Sequence, residues 1–209
     1  MNASAVQRVV GLYVLCDAGA SGGDPGRIAA AALSAGCRVL QLRAKGWDFD
    51  DTVRVGRDIV ARARACGAVV FANDDPALVD PMDADGVHLG ALDGEIQSAR
   101  KAMTPGRWVG RSTNDVSGVD NALLSGADVI AFGPVFDTGH ASRPKLVRGL
   151  AGLREAADRV LGRVPLVAIG GINVHRLADV RAAGANSWAV ISAVNTADDP
   201  TAAASALLA

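Results

Sequence analysis

The chain has 209 residues and a net charge of −1; half of it is hydrophobic but only 4% is aromatic. That is enough apolar material for one sizeable core, and the near-neutral charge gives no electrostatic footing for nucleic acid or an anionic membrane surface. Three cysteines, Cys16, Cys37 and Cys66, stand far apart with no CxxC or Cys/His cluster, so the expectation is a cytoplasmic protein without a disulfide framework or structural zinc.

In chain order, the first element is GLYVLCD (11–17). The apolar run around it is too short to span a bilayer and is stopped by Asp17, so it reads as a core strand rather than a membrane anchor or leader. RVLQLRA (38–44), AVVFAND (68–74), GVHLG (86–90), RWVGRST (107–113), DVIAFGPV (128–135), PLVAIGGI (165–172) and SWAVISAV (187–194) follow as further runs of strand character. Between them lie Ala- and Arg-rich stretches with helical apolar spacing, such as 51–67 and 174–184. In GCRVLQL, GADVIAF and GANSWAV a glycine closes a helix before the next strand. This alternation of strand and helix predicts parallel βα units, and their number predicts an α/β fold: a single (β/α)8 TIM barrel over residues 1–209. A doubly wound open sheet is the competitor, but no GxGxxG follows the first strand.

In such a barrel the chemistry sits at the C-terminal ends of the strands. The second strand ends in QLRAK, and alternation puts Gln41, Arg43 and Lys45 on one face. That row reads either as a salt-bridged rim or as an anion site, with Arg43 as a fork and Lys45 as a point charge. The third ends in ANDD, bringing Asn73, Asp74 and Asp75 to the mouth, and Asp93 follows the fourth. Taken alone, NDD reads equally as ordinary helix-capping sequence, with Asp75, next to Pro76, the better cap. In the other reading Asp74 and Asp93 suit Mg²⁺ bridging to a phosphorylated substrate. His88 reads as a packed barrel histidine. Ser112 and Asn114 close the fifth strand as hydrogen-bonding groups. The sixth runs into GPVFDTGHASRPK, a polar loop with Thr138, His140, Ser142, Arg143 and Lys145. Gly170 and Gly171 after the seventh, with Ile191 and Ser192 after the eighth, suit a phosphate, although a purely steric role for the glycines stays open. No hydrolase triad, HExxH or P-loop pattern occurs. Two anion sites, one metal and no obvious general base remain, which suits departure of a diphosphate with metal help and attack by a second phosphorylated molecule.

Taken in order, QLRAKG, ANDDPALVDPMDADGVHLGALD, GRSTND, ADVIAFGPVF and VAIGGIN resemble the thiamine-phosphate synthase family along most of the chain. The resemblance implies a (β/α)8 barrel that joins hydroxymethylpyrimidine diphosphate to a thiazole phosphate, giving thiamine phosphate and diphosphate with Mg²⁺ as cofactor. It implies a dissociative course, in which diphosphate departs and the thiazole nitrogen captures a pyrimidine-stabilised carbocation. By motif, Gln41, Arg43, Lys45, Asn73 and Ser112 would serve the pyrimidine and diphosphate, and Asp74 and Asp93 the metal. Arg43, Lys45 and Ser112 would be the catalytic set. Thr138 and His140 would lie at the thiazole, and Gly171, Ile191 and Ser192 would cradle its phosphate. The partners implied are these two small phosphorylated substrates, with neither nucleic acid nor membrane; homo-oligomerisation stays open.

One loop departs from the family pattern, GP-aromatic-x-Thr-x-Thr-Lys. Thr138 stands, His140 takes the second threonine's place, and Ala141 takes the lysine's. One cation fewer at a departing diphosphate costs a few kcal/mol, or about 10²–10³ in rate, unless Arg143 or Lys145 supplies it. Asn114 replaces a histidine that the related thiazole tautomerases need. A thiazole tautomerase-like or phosphosugar-isomerase-like barrel therefore stays open only with His140 as base. A non-catalytic phosphate-ligand binder is the third reading, against which the retained Asp74 and Asp93 speak.

Overall fold

The computed structural model describes residues 8–139 and 146–209. Eight parallel strands pair in chain order and close on themselves: β1 (Gly11–Asp17), β2 (Val39–Arg43), β3 (Val69–Asn73), β4 (Gly86–Leu89), β5 (Trp108–Thr113), β6 (Val129–Phe132), β7 (Leu166–Ile169) and β8 (Ser187–Val190). The seam is made by β1 and β8, with Gly11 opposite Ser187 and Val14 opposite Val190. The (β/α)8 barrel expected from the alternation is therefore what the chain forms.

Period-two alternation divides each strand between two cores. Tyr13, Leu15, Val39, Val69, Phe71, Trp108, Val129, Ala131, Val167 and Ala189 fill the barrel itself. Their neighbours, such as Leu12, Val14, Leu40, Val70, Val87, Ile130 and Val190, pack outward against the helices. The outer ring consists of α1 (Pro25–Ala35), α2 (Phe49–Ala65), α3 (Val79–Met82), α4 (Ile96–Ala102), α5 (Val116–Leu124), α6 (Gly149–Val160), α7 (Leu177–Ala182), α8 (Ser192–Asn195) and α9 (Pro200–Leu208). Short 3₁₀ turns at Pro76–Leu78 and Val174–Arg176 lead into α3 and α7. None of these helices is long and apolar enough to cross a membrane.

Acidic and amide side chains punctuate the units. Asp24, Asp48, Asp75, Asp115, Asn173 and Asp199 each accept an N–H of the first helical turn that follows them, satisfying donors that a helix start leaves open. A second set ties the strands together at the end where they begin. The Asp85 amide donates to the Val70 carbonyl at 2.9 Å, while its Oδ2 accepts the Val70 N–H at 2.8 Å. Asp128 closes the same two-bond ring with Val109, and Asn186 with Leu166. In the first pair of strands Arg38 stands at the matching position, and the nearby Cys37 Sγ reaches the Leu12 carbonyl instead, at 3.2 Å.

Three strands are shorter than composition suggested. The ladders of β6, β7 and β8 stop at Phe132, Ile169 and Val190. GPV and GGI continue as loop, although Gly133 and Val135 still donate to the Thr113 and Ile169 carbonyls. Pro134 has no N–H to give, Gly170 and Gly171 leave the strand conformation at positive φ, and Ser192 opens a helix. Lys45 likewise lies past the end of β2, in the loop rather than on the strand face.

Candidate active site

Strand alternation brings a polar layer to the C-terminal mouth, directly above the aromatic fill of the barrel. Gln41 is buried on β2, and its Nε2 donates to the Tyr13 hydroxyl at 2.8 Å. That bond turns the Gln41 carbonyl oxygen away from Tyr13. Arg43, two residues on, pairs with the buried carboxylate of Asp17 at the end of β1. At the end of β3 the Asn73 Nδ2 donates to Asp74 Oδ1 at 2.6 Å, and Lys45 Nζ lies 2.7 Å from Asp74 Oδ2. Asp74 takes a left-handed backbone (φ 65°), which a non-glycine residue holds only under constraint from its surroundings. Its N–H donates to the His88 carbonyl, and Asp75 beside it is spent on capping Pro76–Leu78.

Asp93 reaches back so that its Oδ2 accepts the Gly90 N–H at 2.7 Å. A Cβ on Gly90 would stand 2.6 Å from that oxygen and 3.9 Å from Asp74 Oδ1. The two carboxylates therefore converge on one small volume at the mouth. Arg111, on β5, holds this loop by donating to the carbonyls of Gly90, at 2.7 Å, and Gly94. Among the described residues no three His, Cys, Asp or Glu side chains gather as a cage. Two hard oxygen donors fit Mg²⁺, which commonly takes one or two carboxylates and completes its shell with phosphate oxygens and water.

His88 points into the barrel, with its Nε2 3.0 Å from Ser112 Oγ. Burial, and then the nearby Arg111 guanidinium, push its imidazole down to about 4; it is neutral at pH 7. The space for its ring exists because β5 carries Gly110 opposite it, where a Cβ would stand 2.3 Å from Nδ1. The expectation of a packed barrel histidine thus fits what the ring touches.

Across the mouth, Gly171 has φ 63°, and a Cβ there would stand 2.5 Å from the Asp137 carbonyl and 2.9 Å from Phe136 Cβ. Only glycine lets the loops after β6 and β7 approach this closely. Arg176 locks the junction: its guanidinium lies 4.4 Å from the centre of the Phe136 ring and donates to the Gly171 carbonyl. Ile191 and Ser192 turn the chain from β8 into α8, and Thr138 is exposed in the loop after β6. His140, like Ala141, Ser142, Arg143 and Lys145, lies outside the described residues. A cavity of about 280 Å³ opens beside Lys45 and Asp74, walled by Leu42, Trp47, Phe49 and Leu78.

A family model described as thiamine monophosphate synthase matches residues 12–194. The chain belongs to the thiamine monophosphate synthase family. A thiamine-phosphate synthase from Methanocella arvoryzae is 40% identical over 194 residues, covering 92% of this chain and 91% of that one. One from Thermus thermophilus is 42% identical over 177 residues, 84% of each chain. Among solved structures, thiamine phosphate pyrophosphorylase from Pyrococcus furiosus superimposes with a TM-score of 0.88 at 31% identity, covering 97% of this chain and 95% of that one.

Beyond the motifs of the thiamine monophosphate synthase family, the geometry draws in residues that sequence reasoning passed over: Asp17, Asn195, Tyr13, Arg111 and Arg176. Alternation along GLYVLCD could have found two of them, since it sets Tyr13, Leu15 and Asp17 on one face. Nothing local announces Asn195, two of whose three side-chain partners, the Asp17 N–H and the Leu15 carbonyl, lie across the seam.

Proposed function

We propose that the protein is a cytoplasmic, Mg²⁺-dependent thiamine-phosphate synthase, joining hydroxymethylpyrimidine diphosphate to a thiazole phosphate with release of diphosphate. The observation that carries this reading is the convergence of Asp74 and Asp93 at the barrel mouth beside Lys45 and Arg43. A pair of carboxylates facing a pair of cations suits a metal-bound diphosphate better than a simple phosphate ester.

In this reading Asp74 and Asp93 hold the metal, which when bound would neutralise charge on the departing diphosphate. Arg43 grips that group as a fork and Lys45 as a mobile cation, released from Asp74 when the anion arrives. The Gln41 carbonyl oxygen, turned to the mouth by Tyr13, accepts from an aminopyrimidine, and Asn73 borders the same group. Ser112, held by the neutral His88, donates near the breaking C–O bond. Gly171, Ile191 and Ser192 receive the thiazole phosphate through backbone N–H groups, and Thr138 and His140 border the thiazole. The nitrogen of that ring captures the carbocation left when diphosphate departs.

The test is a coupling assay with both substrates and Mg²⁺, scored by thiamine phosphate formed, on the natural chain and two variants. Asp74→Asn keeps a residue that tolerates the left-handed backbone. It should lower turnover by roughly 10³ or more while leaving thermal unfolding unchanged. Ala141→Lys restores the family's cation and should raise the rate by up to about 10²–10³ if neither Arg143 nor Lys145 already serves. Full activity in Asp74→Asn would remove the metal role; a natural chain that neither turns over nor is rescued by Lys would point to another ligand.

A further inference from the structure

At the β1–β8 seam one connected set of buried polar groups joins the two anion positions. Asn195, 2% exposed, accepts the Asp17 N–H on Oδ1 at 2.9 Å. Its Nδ2 donates to the carbonyls of Leu15 and Ile191, both at 2.8 Å. Asp17, 5% exposed, accepts the Ala20 N–H on Oδ1 at 2.7 Å and presents Oδ2 to Arg43. About a third of the Arg43 side chain, 33%, still faces solvent at the mouth, so the ion pair orients the fork without covering it. Resting on the thiamine-phosphate synthase reading of this site, we infer that Asp17 and Asn195 are positioning residues. Asp17 aims the Arg43 guanidinium at the diphosphate. Asn195 holds Asp17 and, through the Ile191 carbonyl, the turn that receives the thiazole phosphate.

The chemistry of the partners makes the roles separable. Both Asp17 oxygens are in use, one on a backbone N–H and one on a guanidinium. In Asp17→Asn a single oxygen remains for two donors. If it serves Ala20, the amide NH₂ is turned against Arg43, and the fork loses its anchor. Asn195 touches both sides, so its removal loosens both.

The experiment measures the two Michaelis constants separately, together with calorimetric binding of inorganic pyrophosphate in the presence of Mg²⁺. Asp17→Asn should raise KM for the pyrimidine diphosphate about tenfold to a hundredfold, the range of one charge-assisted hydrogen bond, with KM for the thiazole phosphate within about twofold. Pyrophosphate affinity should fall in parallel. Asn195→Ser should raise both Michaelis constants. Asp17→Glu, which keeps two oxygens, should recover part of the Asp17→Asn loss. Unchanged pyrophosphate affinity in Asp17→Asn, or equal increases of both constants, would overturn the assignment, since a merely structural role lowers the melting temperature without favouring one substrate. A natural chain that binds pyrophosphate but does not couple the substrates would sink the functional reading alone, and the pyrophosphate comparison would still decide the positioning role. A natural chain that binds none would overturn both.

Discussion

His88 shows how a single interior residue carries a pH signature. Its imidazole is held down to about 4 by burial, whereas an unfolded chain titrates near 6.5. Above pH 6.5 neither state binds the proton and the full stability is present. As the pH falls from 6.5 towards 4 the unfolded chain gains a proton that the barrel refuses, so stability declines by roughly 3 kcal/mol over that window. Urea unfolding at pH 7 and pH 4.5 should show a larger loss for the natural chain than for His88→Gln; equal losses would mean that His88 is charged in the folded barrel. At this scale the sequence was legible where strand ends are rich in chemistry: Arg43, Lys45, Asp74 and Asp93 all stand at the mouth. Asp17 was read only as the residue that stops an apolar run, because its partner Arg43 comes from another strand.

The elements obey simple rules more closely than the residues do. Alternating β-branched runs located each strand, and Asp75 next to Pro76 gave away a cap that the structure contains. Strand ends were misjudged at β6 to β8, since GPV, GGI and ISAV are as apolar as the ladders they follow. Pro134, the positive-φ Gly170 and Gly171, and the helix start at Ser192 end these strands, not a change in polarity. Within β5 the informative position is Gly110, which faces His88 across the ladder. Gly110→Ala puts a methyl group 2.3 Å from Nδ1, and overpacking of a rigid ring should cost about 1–3 kcal/mol. Urea unfolding of Gly110→Ala, His88→Ala and the double variant tests this. The combined loss should be smaller than the sum of the two; additive losses would show that the methyl group meets something other than the histidine.

On the scale of the whole barrel, closure depends on groups remote from the mouth. The Asp128 side chain is 13% exposed, accepts the Val109 N–H and pairs with Arg100 at 2.7 Å. Asp128→Ala leaves a strand N–H without its partner and should cost about 2–3 kcal/mol. The urea midpoint should drop, with the coupling rate per folded molecule unchanged; a lost rate at full folding would tie this end of the barrel to the chemistry. Closure is also what local patterns convey least, because the seam joins Asp17 to Asn195 across nearly the whole chain. The rings of Asp85, Asp128 and Asn186 recur before β4, β6 and β8 on the face where the strands begin, while the segments proposed to meet the substrates leave from the opposite face. Architecture and chemistry thus occupy separate ends of the same eight strands. A library that varies only the segments 90–94 and 137–139 should yield mostly folded proteins, so new specificities can be sought in this scaffold without rebuilding what shuts it.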